Sequence, residues 1–537
     1  MASREQVLLL LLRYEKEIRY LRLWSVQEPA SSFGHCPNQS MHDEEGTANR
    51  EIAAKHLAYT LLYMFLVAEF EMYAELIGAI SDFMYGKLLI IMLMGVGLYY
   101  TLRTRFIQLR MLGETLRVIT EKKADKNSVS SFQALMISTA SRVGTGNIIG
   151  VSTALCLGGF GSMFWMWLAA IIGGGSAFVE STLAQIYKKR GDHASYGGPA
   201  YYIESALKNR FIAVIFALAL IMTYGVGFNM LCAYNLQSTF SGFGFYDAQS
   251  TPWVIGGILA ILVGWCLFGG GRRIIRITST LVPIMGLIYV LVALVVTILN
   301  IGLLPQVFET IFEEAFDFEA IFGGFTGSCV MLGIKRGLYS NEAGVGSAPN
   351  AAAAADVSHP VKQGLVQMFS VFIDTLLICT ATAFLCMSSD VEPNAELAGA
   401  PYVQAALDAT LGEGASIFLT VSMMLFAFTT LLGNLYYVDS AFAYINEAVP
   451  GKLFMTCYRI TACLLIFIGS ASSMGLLWDT ADVLMGCMAI INLPVIVILG
   501  GRAMACLKDY ERQRHAGKDP VFKASSIGIT EKLDYWN

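Results

Sequence analysis

An apolar run from Phe132 to Leu157 is interrupted by Arg142-Val143-Gly144-Thr145-Gly146-Asn147, too rich in glycine and polar groups for a comfortable continuous helix. Backbone that opens at membrane depth is tolerated where it is buried in protein or lines a cavity, and such breaks hold solutes and ions. A second interruption lies downstream, where Gly333-Ile334-Lys335-Arg336-Gly337 precedes Ser340-Asn341-Glu342-Ala343-Gly344-Val345-Gly346-Ser347. Paired breaks in matching positions of two halves point to the binding site of a secondary transporter. A third feature is Asp374, set among Phe372, Ile373, Leu376 and Leu377, because a carboxyl inside a span is costly unless partnered.

Other chemistries lack their groups. The six histidines, His35, His42, His56, His193, His359 and His515, all fall outside the apolar spans, so a haem or metal-centred membrane oxidoreductase lacks its usual ligands. No P-loop is present, so nothing suggests that ATP drives the process. None of the eleven cysteines forms a C-x-x-C pair, and those such as Cys266 and Cys379 read as small hydrophobes within spans. An enzyme needs convergent nucleophile, acid and base, whereas the spans offer scattered acids. An ion channel needs a continuous polar pore and would show itself by currents far faster than carrier turnover. No cofactor and no nucleic-acid partner is expected.

The elements that position these residues are membrane helices. With 55% hydrophobic and 14% charged residues, the chain lies well off the soluble average of roughly a quarter charged. Its 537 residues supply ten or more spans of about 20 residues. Apolar runs place spans near Leu88 to Tyr100, Phe132 to Leu157, Phe164 to Tyr187, Phe211 to Cys232, Trp253 to Phe268, Ile277 to Leu299, Ile321 to Met331, Met368 to Met387, Ile417 to Tyr437, Phe454 to Ile468 and Ala481 to Leu499. Alternate connections collect the basic residues: Arg103, Arg105, Arg110, Arg117, Lys122, Lys123 and Lys126, then Lys188 to Arg190, then Arg272, Arg273 and Arg276. The same face is expected to hold Lys335 and Arg336, then Arg502, Lys508, Arg512 and Arg514. The intervening connections, Ala233 to Thr251, Ile301 to Ala320 and Ser388 to Ser416, contain no Lys or Arg, so the basic face is read as cytoplasmic. The expected fold is all-α and polytopic, with about 11 transmembrane helices. These form a 5+5 inverted repeat with broken first and sixth core helices, plus one extra N-terminal helix.

Val143 to Ile148, Gly197-Gly198-Pro199-Ala200-Tyr201-Tyr202, Gly337 to Gly344 and Phe372-Ile373-Asp374-Thr375 resemble the signature blocks of the alanine or glycine:cation symporter family. The resemblance runs from about Phe70 to Arg514. It implies a sodium-coupled carrier for small neutral amino acids with the broken-helix fold of the bacterial leucine transporter. An amino-acid zwitterion needs N–H groups for its carboxylate, and a half-helix N-terminus favours the anion, so Thr145, Gly146 and Asn147 are the first-choice substrate contacts. Carried over from the leucine-transporter pattern, carbonyls of Ala140 and Val143 meet hydroxyls of Thr429 and Thr430 around sodium. Asn147 contacts a second ion if two sites exist. The fifth core helix, Ile277 to Leu299, has no lysine whose ammonium could replace sodium.

Each assignment has a plainer rival. Gly144 and its neighbours could mediate helix packing, and Thr429 and Thr430 could bond back to their own helix. Asp374 reads first as half of an ion pair with Arg142 and second as a sodium ligand. Glu180 reads as a solvated or capping residue, and Lys335 and Arg336 as topology anchors or as a cytoplasmic gate closing on Glu342. Two departures bear on selectivity. The family's usual glutamine is Cys232 here, and a common tryptophan is Asn434, both expected to face substrate. A thiol is a weak hydrogen-bond partner, so serine or another small polar solute stands beside alanine and glycine.

The domain reading is a poorly fitting extension over 1–66, one transporter domain over 67–510 and a cytoplasmic tail over 511–537, in a multi-pass protein of the cell membrane. The extension carries Val7 to Leu12 among Arg13, Lys16, Arg19 and Arg22, and no signal-peptide cleavage pattern. A crossing near Leu57 to Val67 would be short and followed by Glu69, Glu71 and Glu75. An overextended start with Met64 as initiator is expected, and a native peptide from before Met64 would overturn it.

Overall fold

A computed structural model describes residues 72–121, 128–191, 194–323, 328–448 and 450–536. The expectations for 1–66, for the crossing near Leu57 to Val67, for Met64 and for Lys122, Lys123 and Lys126 lie outside the described residues. The longer helices, in chain order, are α1 (Met72–Arg103), α2 (Leu112–Ile119), α3 (Ser131–Arg142), α4 (Ile149–Gly158), α5 (Gly161–Ile186) and α6 (Pro199–Leu207). They continue with α7 (Arg210–Ser238), α8 (Thr251–Leu267), α9 (Gly271–Leu299), α10 (Leu304–Ala315), α11 (Cys329–Asn341) and α12 (Pro349–Ala354). The last are α13 (Pro360–Met387), α14 (Ala400–Leu411), α15 (Ser416–Ile445), α16 (Lys452–Ser470) and α17 (Met474–His515).

Among the described residues, eight helices are long and apolar enough to cross a membrane. The apolar α8 and the two interrupted pairs α3/α4 and α11/α12 supply the rest of the spans expected. Boundaries follow local chemistry. Ser130 and Gln133 form a capping box that starts α3, Ser328 caps α11, and proline near the first turn opens α6, α8, α12 and α13. One expected span is corrected: the helix placed near Ile321 to Met331 begins at Cys329, where Ser328 caps it, and runs to Asn341.

The two interrupted pairs run in opposite senses. Val129, just before α3, bridges Ala355, just after α12, so the start of one pair and the end of the other share an end of the bundle. That end also gathers basic connections: Arg110 meets Glu511 at 2.5 Å, Glu114 accepts from Arg117 and Arg514 at 2.8 and 2.9 Å, and Lys189 meets Asp534 at 3.2 Å. In the interior, α5 packs along α11 and α13, α3 packs on α15, α9 on α15 and α8 on α16. The boundary expected at residue 510 falls inside α17, which continues to His515. Beyond it Phe522, Leu533 and Trp536 are buried, and the Trp536 indole donates to the Gln185 carbonyl at 2.8 Å, so the tail folds back on the basic end.

Lys335 and Arg336 do not join that end, contrary to expectation. Both sit buried on α11 and reach Asp482 on α17 at 3.0 and 3.2 Å. Along α17, Asp482 stands about 30 Å from Arg502, roughly the thickness of a bilayer core. The reason is that Asp482, an acid inside a span, needs a cationic partner at its own depth. Asp482→Ala is therefore expected to destabilise the protein by about 3–5 kcal/mol, because it strands two buried cations. Thermal unfolding in detergent should show a clear loss; an unchanged midpoint would mean that the two cations find other partners.

Candidate substrate and ion site

The first break is one turn long. After α3 ends at Arg142, Val143 takes a non-helical conformation and Thr145 to Asn147 form a single 3-10 turn before α4. The first N–H groups of such a turn, on Thr145 and Gly146, have no acceptor within the turn, and both residues are buried. The Asn147 side chain accepts from the Gly144 N–H at 2.7 Å and so pins the turn. Opposite, Glu342 takes a left-handed φ of 54°, and Gly344 and Gly346 follow at φ 85° and 93°. Those conformations suit glycine and end α11 abruptly.

Asp374 lies on a π-helical stretch, Phe372–Cys379, of the kind often found at functional sites. Its carboxyl gathers groups from three helices. The Asn147 amide donates at 2.6 Å, the Ser340 and Thr375 hydroxyls donate at 2.8 Å each, and Asn341 donates to Thr375 at 3.1 Å. The expected ion pair with Arg142 does not form. Arg142, 2% exposed, donates through Nη1 to the Gln367 carbonyl at 3.1 Å, and its Nε and Nη2 have no protein partner. Hydroxyl and amide donors from both breaks reach the Asp374 carboxyl first, which is why the guanidinium stays away.

A second oxygen cluster lies where α15 crosses α3. The Thr430 hydroxyl donates to the Ala140 carbonyl at 3.1 Å, beside buried Val143. Gly144 is packed so closely that a Cβ there would fall 2.1 Å from Thr430 Oγ1. Thr429 is not drawn in: its hydroxyl bonds back to the carbonyls of Leu425 and Phe426 at 3.0 and 3.1 Å.

Toward the basic end a chain of buried polar groups continues. Asn434 donates to Asn229 at 3.0 Å, and the Ser141 hydroxyl lies 2.6 Å from Asn434 Oδ1 and 3.1 Å from Glu342 Oε1. Asn434 thus spends its amide on this chain rather than on the Thr145 to Asn147 turn. Glu342 also accepts from Ser347 at 2.6 Å and makes no gate with Lys335 or Arg336, whose partner is Asp482. Glu180 is fully buried rather than solvated, accepting from the Gly344 N–H at 3.3 Å and from Asn492 at 2.8 Å.

Cys232 is buried, with its thiol 3.5 Å from the Ala427 carbonyl; three residues on, Asn235 donates to the Thr145 hydroxyl at 3.1 Å. On the side away from the basic end, Tyr339 lies between Phe228 and Trp478, with ring centroids 4.6 and 4.7 Å apart, and the Arg336 guanidinium sits 4.0 Å from the Trp478 ring. Asn235, Phe228, Ser340 and Thr375 escape a reading of the sequence. The first signal available was a polar residue one turn from Cys232 in an apolar helix; the last two stand inside the quoted blocks around Asn341 and Asp374.

The family model for the sodium:alanine symporter family matches residues 70–524. The chain is 43% identical over 465 residues to the probable sodium/glutamine symporter GlnT of Bacillus subtilis, covering 86% of this chain and 96% of that one. It is 36% identical over 455 residues to the sodium/alanine symporter AgcS of Methanococcus maripaludis, covering 82% and 98%. Among solved structures, MhsT in complex with L-phenylalanine superposes with a TM-score of 0.48 at 15% identity, covering 76% of this chain and 92% of that one. The family-model match over residues 70–524, with relatives 43% and 36% identical over most of their length, places the chain in the sodium:alanine symporter family, whose members are transporters and not enzymes.

Proposed function

We propose that this multi-pass, cation-coupled amino-acid symporter imports a small neutral amino acid, alanine or glycine foremost, with sodium as the coupling ion and by alternating access. The observation that carries the reading is the meeting of both helix breaks at the Asp374 carboxyl, with the Ala140 and Thr430 oxygens beside the first break. The N–H groups of Thr145 and Gly146 receive the substrate carboxylate, with Asn147 completing the turn. Ala140, Val143 and Thr430 supply neutral oxygens to one sodium ion, a hard cation that prefers them. The oxygens of Asp374 and Ser340, beside Asn147, offer a second cation place. Thr429 remains a helix-packing residue in this reading.

Access alternates because each side of the site has its own closure. Away from the basic end, Tyr339 packs between Phe228 and Trp478 beneath the Arg336 and Asp482 pair. Toward the basic end, Ser141, Asn434 and Glu342 tie α3, α15 and α11 together. Sodium in the broken first helix favours the arrangement that binds substrate, and the inward gradient drives uptake. By the positive-inside rule the basic end, with the C-terminal tail, faces the cytoplasm of a cell membrane.

A larger polar substrate is a second reading, favoured by the greater identity to the probable glutamine symporter than to the alanine symporter named above. Serine remains within the first reading. Labelled alanine binding to the purified protein in sodium, with glycine, serine and glutamine as competitors, separates the two. Alanine and glycine are expected to compete best, and strong displacement by glutamine alone would favour the second reading. Cys232→Gln adds an amide and volume on the α7 face near Thr145. It is expected to weaken larger competitors relative to alanine about tenfold, the effect of roughly 1–3 kcal/mol for a misfitting group. An unchanged competitor ranking would place Cys232 outside the pocket.

A further inference from the structure

A trough on the outer surface, away from both breaks, runs between α8 and α16. It encloses about 410 Å³. Its floor is made of small side chains: a Cβ on Gly264 would fall 3.1 Å from the Cys463 sulfur, so the two helices approach closely there. Its walls are Trp265, Phe268, Leu464 and Phe467, and the first three are more than half exposed, at 62%, 53% and 54%. The trough descends from mid-helix to the basic end, because α8 ends there just before α9, whose first turn carries Arg273, and α16 begins there at Lys452.

Two guanidiniums stand at its basic end. Arg273 lies 4.8 Å from the centre of the Trp265 ring and donates to the Trp265 carbonyl at 2.7 Å. It is folded back so tightly that a Cβ on Gly269 would fall 2.1 Å from its Nε. Arg459 lies 5.9 Å from the Phe268 ring. Among the described residues, no carboxylate comes within the 4 Å of an ion pair to either one; Asp439 is the acid that feels Arg459 from farther off. A guanidinium stacked on a ring keeps N–H donors at its edges, in the planar fork that matches a phosphate. An apolar trough as long as several side chains, ending in two guanidiniums that make no close ion pair, is complementary to one amphiphile with an anionic head.

We propose that the trough between α8 and α16 holds an acyl chain of an anionic phospholipid whose phosphate is bound by Arg273 and Arg459. The site is separate from the transport site and rests on none of its assignments. Basic pockets between transmembrane helices at the cytoplasmic side are known to recruit anionic headgroups. The chain contact gives the trough its shape selectivity, and the guanidiniums give it its charge selectivity.

Native mass spectrometry of the full chain in a neutral detergent tests this directly. The probes are phosphatidylglycerol, phosphatidylcholine with the same chains, and inorganic phosphate. The unmodified protein is expected to retain phosphatidylglycerol about 30-fold better than phosphatidylcholine, as two interfacial arginines predict. The double variant R273Q/R459Q should lose that preference, and Leu464→Trp, which fills the trough from an exposed position, should lose the lipid while keeping both arginines. Both variants should elute from size exclusion as a single sharp peak with the unmodified protein's thermal midpoint, which shows that they fold. Equal retention of the two lipids by the unmodified protein overturns the proposal, as does retention unchanged in R273Q/R459Q. Displacement of phosphatidylglycerol by inorganic phosphate at equal concentration, or retention unchanged in Leu464→Trp, overturns the acyl-chain half and leaves a phosphate site.

Discussion

Asp374→Ala is expected to remove sodium-dependent uptake, lowering it by about 100-fold or more, while leaving a protein that still reaches the membrane. The Asp374 carboxyl accepts from the Asn147 amide and from the Ser340 and Thr375 hydroxyls, one group from each break and one from its own helix. Each buried donor left without an acceptor costs about 1–3 kcal/mol, and the three together hold the two breaks face to face. The isosteric Asp374→Asn separates the two roles of the group. It keeps one acceptor oxygen and the volume but turns an NH₂ toward at least one of three donors, and it removes the negative charge. If Asp374 helps to hold a cation, Asp374→Asn folds, binds substrate weakly and loses the steep dependence on sodium. A sodium titration of alanine binding distinguishes this from a purely structural role, for which the half-saturating sodium concentration would stay unchanged in whatever fraction remains folded.

Gly144→Ala is expected to raise the sodium concentration needed for half-maximal uptake by at least about tenfold. The added Cβ would lie 2.1 Å from Thr430 Oγ1 and 3.2 Å from its Cγ2, so no rotation of Thr430 clears it while keeping the bond to the Ala140 carbonyl. Either α15 moves away from α3 or the hydroxyl turns aside, and both take an oxygen from the Ala140 and Val143 cluster. Interior overpacking of this kind costs about 1–3 kcal/mol, and here it falls on the site itself. Thr430→Ala on its own should also raise the sodium requirement. Because both changes disrupt one contact, the double variant should be less impaired than the sum of the singles. Strict additivity in sodium affinity would show that Gly144 and Thr430 act on different things.

The breaks were legible because their cause is local. Glycine and asparagine in an apolar run, and a left-handed Gly344 and Gly346, are written in consecutive residues. The contact between Ala140 and Thr430, 3.1 Å long and far apart in the chain, is not local, and only the resemblance between short blocks paired them. Partner choice among buried charges was not legible. Arg142, Lys335, Arg336, Glu180, Glu342, Asp374 and Asp482 are all ionisable residues inside spans, and sequence alone does not set their depths. Charge sorting grouped Lys335 and Arg336 with the basic connections, whereas α11 begins only at Cys329 and carries them to the depth of Asp482. Arg142 was matched to Asp374 on charge alone, yet hydroxyl and amide donors held by neighbouring backbone reached the carboxyl first. Thr429 and Thr430 are adjacent, and only the rotation of α15 about its axis decides which of them faces Ala140 and which bonds back to its own helix.

The central claim is that a sodium gradient drives amino-acid accumulation through this chain, and uptake of labelled alanine into proteoliposomes tests it most directly. With sodium outside and potassium inside, alanine is expected to rise above its external concentration and to fall back when an ionophore collapses the gradient. Potassium on both sides should give no accumulation. Alanine that merely equilibrates at the same rate with and without sodium, in protein shown to be folded, would contradict the account.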